Sequence, residues 1–115
     1  MTLGEVWSID LPSRGGHAQQ GRRPAIILQA EKASASVPTV LVVPLSTQLD
    51  ALRFPGTILV ETTPENGLRR VSVALVFQLT AIDQRYLIKS LGRISEEILK
   101  GIFAALDELA GRRRQ

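Results

Sequence analysis

Two short stretches put side chains capable of chemistry at the mouths of apolar runs: GRRP at residues 21–24 and STQ at 46–48. Arg23 stands directly before Pro24, a position that disfavours helical geometry, so an extended residue opening a strand is expected there. Its guanidinium is a planar fork of five donors, permanently charged and shaped for a phosphate. Gly21 lets the preceding loop approach a ligand closely. Arg22 alternates with Arg23 along an extended chain and is expected to face the other way, serving backbone binding at most. Ser46 and Thr47 contribute hydroxyls and Gln48 an amide, at the exit of the run TVLVVPL (39–45). Consecutive strands often pair, which would set these hydroxyls beside Arg23 at one end of a sheet. Each stretch taken alone also suits an ordinary solvated surface or strand exit.

The remaining inventory excludes several chemistries. The chain has one histidine, His17, no cysteine and scattered acids. A thiolate nucleophile, a disulfide framework, a zinc-thiolate site and a paired-histidine ribonuclease are therefore excluded, and neither metal nor cofactor is expected. His17 itself reads as a loop residue without catalytic duty. GGHAQQGRR lacks the lysine followed by Ser or Thr of a phosphate-cradling P-loop. The count of 14 Lys and Arg against 11 Asp and Glu gives +3, which suits an anionic partner or simple solubility. MTLGEVWSIDL carries acids where a signal peptide needs basic residues, and no run approaches the ~20 apolar residues of a membrane span. A soluble, cytoplasmic protein is expected.

The elements that must position these residues are short. One domain is expected over residues 1–111, followed by a basic tail at 112–115. Residues 5–11 alternate as a half-buried strand, and 12–22 form a Gly-rich loop. PAIILQA (24–30) and TVLVVPL (39–45) are nearly continuous in apolar character, as in strands buried on both faces, and the polar EKASASVP connects them. TILVE (57–61) is a further strand, followed by a hairpin turn at Asn66-Gly67. Residues 71–78 alternate as one long strand, AIDQRYL is a turn or short helical piece, and LIKSLGRI is a last short strand. Ser95 caps a helix whose apolar stripe comprises Ile98, Leu99, Ile102, Phe103, Leu106 and Leu109, with Gly101 marking close packing on the sheet and Gly111 as C-cap. The sum is a mainly β, α+β domain: a small, strongly curved sheet or barrel covered by a C-terminal helix.

GEVWSIDL (4–11), QGRRPAIIL (20–28), VPLSTQ (43–48), SVALVFQLTAID (72–83) and LGRISEEILKGIFAAL (91–106) occur in this order. The ordered set resembles the MazF/PemK-like toxins of type II toxin–antitoxin systems. The resemblance implies an SH3-like β-barrel of five to seven strands with a terminal helix, shared with the CcdB toxins. It implies a homodimer whose groove takes single-stranded RNA, and a metal-independent, sequence-specific endoribonuclease that inhibits translation and growth. In that chemistry the ribose 2′-hydroxyl attacks the adjacent phosphate, leaving a 2′,3′-cyclic phosphate and a 5′-hydroxyl. The family's catalytic arginine falls on Arg23 and its catalytic hydroxyl on Ser46, supported by Thr47 and Gln48. RNA contacts fall on Gln19, Gln20, Gly21, Arg22, Pro24 and Gln78, and Arg53, Arg69, Arg70 and Arg85 are further basic candidates. Also implied is an antitoxin whose disordered acidic segment masks the RNA site. The pattern departs from the family at Ser46, usually threonine, at Ala18 and Phe77, where acidic residues are common, and at Thr80, where a basic residue is common. A gyrase-binding poison on the same fold is the alternative, against which the position of the only tryptophan, Trp7, speaks. An inactive member that still binds its antitoxin is the other.

Overall fold

The computed structural model describes residues 1–11 and 21–112, the side chain of Leu11 excepted. Seven strands run through them: β1 (Glu5–Leu11), β2 (Gly21–Ile27), β3 (Thr39–Ser46), β4 (Thr57–Val60), β5 (Ser72–Leu75), β6 (Thr80–Asp83) and β7 (Leu87–Arg93). There are two helices, α1 (Glu31–Ser34) and α2 (Glu96–Leu109). All pairs are antiparallel, in the order β4-β5-β3-β2-β1-β7. β6 lies off this path and pairs with the first half of β3, Thr39↔Asp83 to Val42↔Thr80.

The continuous apolar character of 24–30 and 39–45 has a structural cause, because the sheet is buried on both faces. Val6, Ile26, Val43 and Leu45 turn toward α2, where Ile102 and Ala105 complete one core. Ile9, Ala25, Ile27, Val40 and Val42 turn the other way and form a second core with Ile82. Successive residues of β2 thus enter different cores, as strand alternation requires.

In α2, Ser95 caps as expected: its Oγ accepts from the Ile98 amide at 3.2 Å. Gly111, past the helix end, has φ +75°. The stripe is narrower than expected, since Phe103 and Leu109 stay about 40% exposed. Nor is Gly101 forced by packing, because a Cβ there would sit 3.5 Å from Ile58 Cδ1, an ordinary contact. The tight approach is at Gly56, φ +73°, which lies under Leu109.

Other expectations are corrected. Residues 71–78 do not form one strand: β5 ends at Leu75, and a 3-10 turn follows over Val76–Gln78. All four residues of β5 are buried, so its alternation does not separate a solvent face from a core face. AIDQRYL divides into the end of β6 and a 3-10 turn over Gln84–Tyr86. The polar connection 31–38 includes α1.

Asn66-Gly67 is not a two-residue hairpin turn either. β4 and β5 do pair, Thr57↔Leu75 to Val60↔Ser72, but they are joined through all of residues 61–71. Asn66 is buried inside this loop and satisfied by it. Its Nδ2 donates to the Glu61 carbonyl at 2.9 Å, and its Oδ1 accepts from the Thr63 and Leu68 amides at 3.2 and 3.0 Å.

The barrel expectation needs one correction as well. The pairing path does not close on itself; β4 and β7 are its ends. The loop 61–71 reaches from one to the other, and the Arg93 amide of β7 donates to the Glu65 carbonyl at 2.8 Å. Two glycines permit this approach. A Cβ on Gly67 would collide with the Leu91 carbonyl, and one on Gly92 with the Glu65 carbonyl and the Asn66 backbone.

Candidate functional site

β2 enters the sheet with its arginines already in register. Arg22 pairs with Asp10 and Arg23 with Ile9 on β1. On the other side the ladder to β3 ends at Ala25↔Pro44, where proline offers no amide to continue it. β3 then turns to β5, with Leu45↔Ala74 and Ser46↔Val73. Ser46 therefore leaves the sheet at the end where Arg23 enters it. Its Oγ is half-committed locally, accepting from the Gln48 amide at 3.1 Å.

A cleft of about 380 Å3 opens at this end. β2 contributes Arg22, Arg23 and Pro24, the exit of β3 contributes Thr47, and the loop 61–71 contributes Arg69 and Arg70. Leu68 and Leu91 supply apolar surface, and Ser8 and Ser72 supply further hydroxyls. Among the described residues four arginines and no carboxylate line it. Among the described residues none of these four arginines has an ion-pair partner; the ion-paired arginines are Arg85, Arg93 and Arg112. Like charges gathered without counter-charge raise the local potential and attract anions. Arg22 and Arg23 both border the cleft, so strand alternation does not exclude Arg22 from it as expected.

Other predicted site residues stand elsewhere. Gly21, Ser46, Gln48, Arg53, Gln78 and Arg85 are not part of the cleft wall. Gln48 precedes the 3-10 turn Leu49–Arg53 and is exposed. The Arg53 guanidinium lies 5.0 Å from the Phe54 ring centre, and Phe54 meets Phe77 at 5.6 Å between centroids. Gln78 is exposed at the end of its 3-10 turn. Arg85 pairs with Asp83 at 3.6 Å and covers the Tyr86 ring at 5.2 Å. Gln19, Gln20, His17, Ala18 and the tail residues Arg113 and Arg114 lie outside the described residues. Among the described residues no group of three or more His, Cys, Asp or Glu could hold a metal ion.

Ser8, Leu68, Ser72 and Leu91 also line the cleft, although in the sequence they read only as strand or loop residues. The available clue was Asn66-Gly67, which marks a demanding backbone whose purpose here is to seat a long loop. A second cleft, of about 590 Å3, lies between that loop and the start of α2 and is bordered by Glu61, Glu65 and Glu97 with Arg93. Its acidic rim sets it apart from the arginine cleft.

Comparison with known proteins bears on the family and the fold. A family described as PemK-like, MazF-like toxin of type II toxin-antitoxin system matches residues 2–110. The chain is 32% identical over 114 residues to "Endoribonuclease MazF9" of Mycobacterium tuberculosis, covering 94% of this chain and 91% of that protein. In fold it is similar to the crystal structure of MazF from Deinococcus radiodurans, with TM-score 0.79, 20% identity and 96% of each chain covered. It is equally similar to a mycobacterial endoribonuclease in complex with its cognate antitoxin, with TM-score 0.79, 18% identity, and 100% and 99% of the two chains covered.

Proposed function

Since the chain belongs to the PemK-like, MazF-like toxin family of type II toxin–antitoxin systems, we propose that it is an endoribonuclease cutting single-stranded RNA without a metal. The observation that carries this reading is the cleft where Arg23 meets Arg22, Thr47 and Arg69 with no acid between them. An RNA phosphate seated there faces fixed positive charge. As the ribose 2′-oxygen attacks, negative charge grows on the non-bridging oxygens, and donors already in place stabilise it without reorganising. The P–O5′ bond breaks as the 2′-oxygen bonds to phosphorus, and the proton lost by the 2′-hydroxyl is balanced by one gained by the leaving 5′-oxygen, giving a 2′,3′-cyclic phosphate and a 5′-hydroxyl. Arg23 serves as a charge and a donor, its planar fork of N–H groups matching the phosphate oxygens.

Ser46 is the proposed hydroxyl donor, leaving the sheet where Arg23 enters it. A serine lacks the methyl group that restricts a threonine rotamer, so its hydroxyl is less rigidly held. Thr47 and Gln48 support it. Gln19, Gln20, Gly21, Arg22, Pro24 and Arg69 bind the RNA around the cut, while Arg53, Gln78 and Arg85, off the cleft, serve the chain further along. The antitoxin partner covers the same basic surface with an acidic segment that folds on binding. A second copy of the chain buries the exposed apolar face of Leu49, Leu52, Phe54 and Phe77, completing a dimer.

Cleavage of a long RNA in EDTA, with the cut ends mapped, tests the assignment. Arg23→Ala and Ser46→Ala are each expected to slow cutting by about 100- to 1000-fold, the effect of losing one preorganised donor, with thermal unfolding unchanged. If both variants cut as fast as the parent, the assignment is wrong.

A further inference from the structure

The proposed function accounts for Arg23 but not for the construction of the loop opposite it. Antiparallel neighbours such as β4 and β5 are commonly joined by 2–5 residues. This one spans residues 61–71 and is held firmly. Asn66 is 3% exposed and bonded to Glu61, Thr63 and Leu68. Gly67 and Gly92 bring loop and β7 backbone to backbone, with Arg93 N donating to Glu65 O at 2.8 Å. The effect of this fastening is to present two adjacent exposed arginines, Arg69 and Arg70, to the cleft that Arg22 and Arg23 enter from the other side.

Among the described residues four guanidiniums and no carboxylate surround about 380 Å3, which raises the positive potential there and attracts anions. One phosphate has room for the fork of one or two arginines, so the surplus calls for more than one phosphate. We propose that the loop 61–71 is a second phosphate clamp: Arg69 and Arg70 hold RNA phosphates flanking the one at Arg23, and Asn66 and Gly92 are positioning residues that set where those arginines stand. The proposal rests on the single-stranded RNA reading and extends it. The substrate is bound as a run of phosphates and not as an isolated dinucleotide.

The test is the salt dependence of binding, measured by fluorescence anisotropy on the full chain with a labelled, uncleavable 2′-O-methyl oligonucleotide. Each phosphate contact on a single strand contributes about 0.7 to the slope of log affinity against log salt. Arg69→Ala and Arg70→Ala are each expected to flatten the slope by about 0.7, and Arg70→Lys to restore it. Asn66→Ala, which touches no RNA, is expected to flatten it by the two contacts together. Should Asn66→Ala fail to fold, the two surface arginine variants still decide. Parent-like slopes in Arg69→Ala and Arg70→Ala overturn the clamp, and if Arg23→Ala still stops cleavage, the endoribonuclease reading survives that result. A parent chain that neither binds nor cuts RNA overturns both.

Discussion

The two walls of the arginine cleft are built by different physics. Arg22 and Arg23 sit at the end of a strand whose next residues, Ala25, Ile26 and Ile27, are fully buried in two cores. Arg69 and Arg70 sit on a loop held by one buried amide, two glycines and a backbone hydrogen bond from Arg93 to Glu65. The strand wall takes its position from apolar burial, which is non-directional and tolerant of similar side chains. The loop wall takes its position from polar satisfaction and close backbone approach, which few alternatives can reproduce. The same electrostatic surface is thus half robust and half exacting.

Several measurements would break or sharpen this contrast. The largest effect is expected on the strand side, where Ile26→Ala should lower unfolding free energy by about 2–5 kcal/mol in urea melts, cavity formation included. Its loss should be global, with all probes melting together. Gly92→Ala, on the loop side, should cost about 1–3 kcal/mol through overpacking against Glu65 and Asn66. If its penalty is relieved without disturbing the loop, the backbone-on-backbone account of this wall is wrong. Asn66→Ala should speed amide exchange locally, at Leu68 and Arg93, while the amides of Ile26 and Val43 stay protected. Uniform acceleration across the sheet would erase the distinction between the walls.

The smallest effect concerns the β1–β7 edge beside the loop. Burial pushes the Glu5 carboxyl up, but the Thr2 amide, the Trp7 indole, the terminal amine and Arg93 outweigh it, so its pKa lies below 4.5. A carboxylate with a lowered folded pKa stabilises above its unfolded value and loses that contribution as pH falls through the folded one. Glu5→Gln should therefore be less stable than the parent near neutrality, and the gap should shrink below about pH 4.5. A gap that widens on acidification would contradict this sign.

How legible each part was follows from the same contrast. β1, β3 and α2 announce themselves because alternation at 5–11, an almost unbroken apolar run at 39–45 and a serine cap before an apolar stripe leave a local trace, and the structure has Glu5–Leu11, Thr39–Ser46 and Glu96–Leu109 there. The run 71–78 misled because β5 is buried throughout, so alternation there distinguishes nothing. Asn66-Gly67 misled because a motif that favours a tight turn was used to fold a long loop. Arg23 and Thr47 were legible as types and neighbours, and Arg69 and Arg70 as basic candidates; that both of these share the cleft with Ser8 and Ser72 was not.

The amino-acid sequence by itself determined the class of the domain, the apolar strands, the capped helix and the family, since each is written in local spacing or in ordered motifs. Only the tertiary structure decided that the sheet stays open, that the loop 61–71 bridges β4 to β7, and that two distant arginine pairs share one cleft. The physical reason is that these depend on contacts between segments far apart in the chain. Such contacts are made by backbone groups and glycines, which carry no side-chain pattern to announce them.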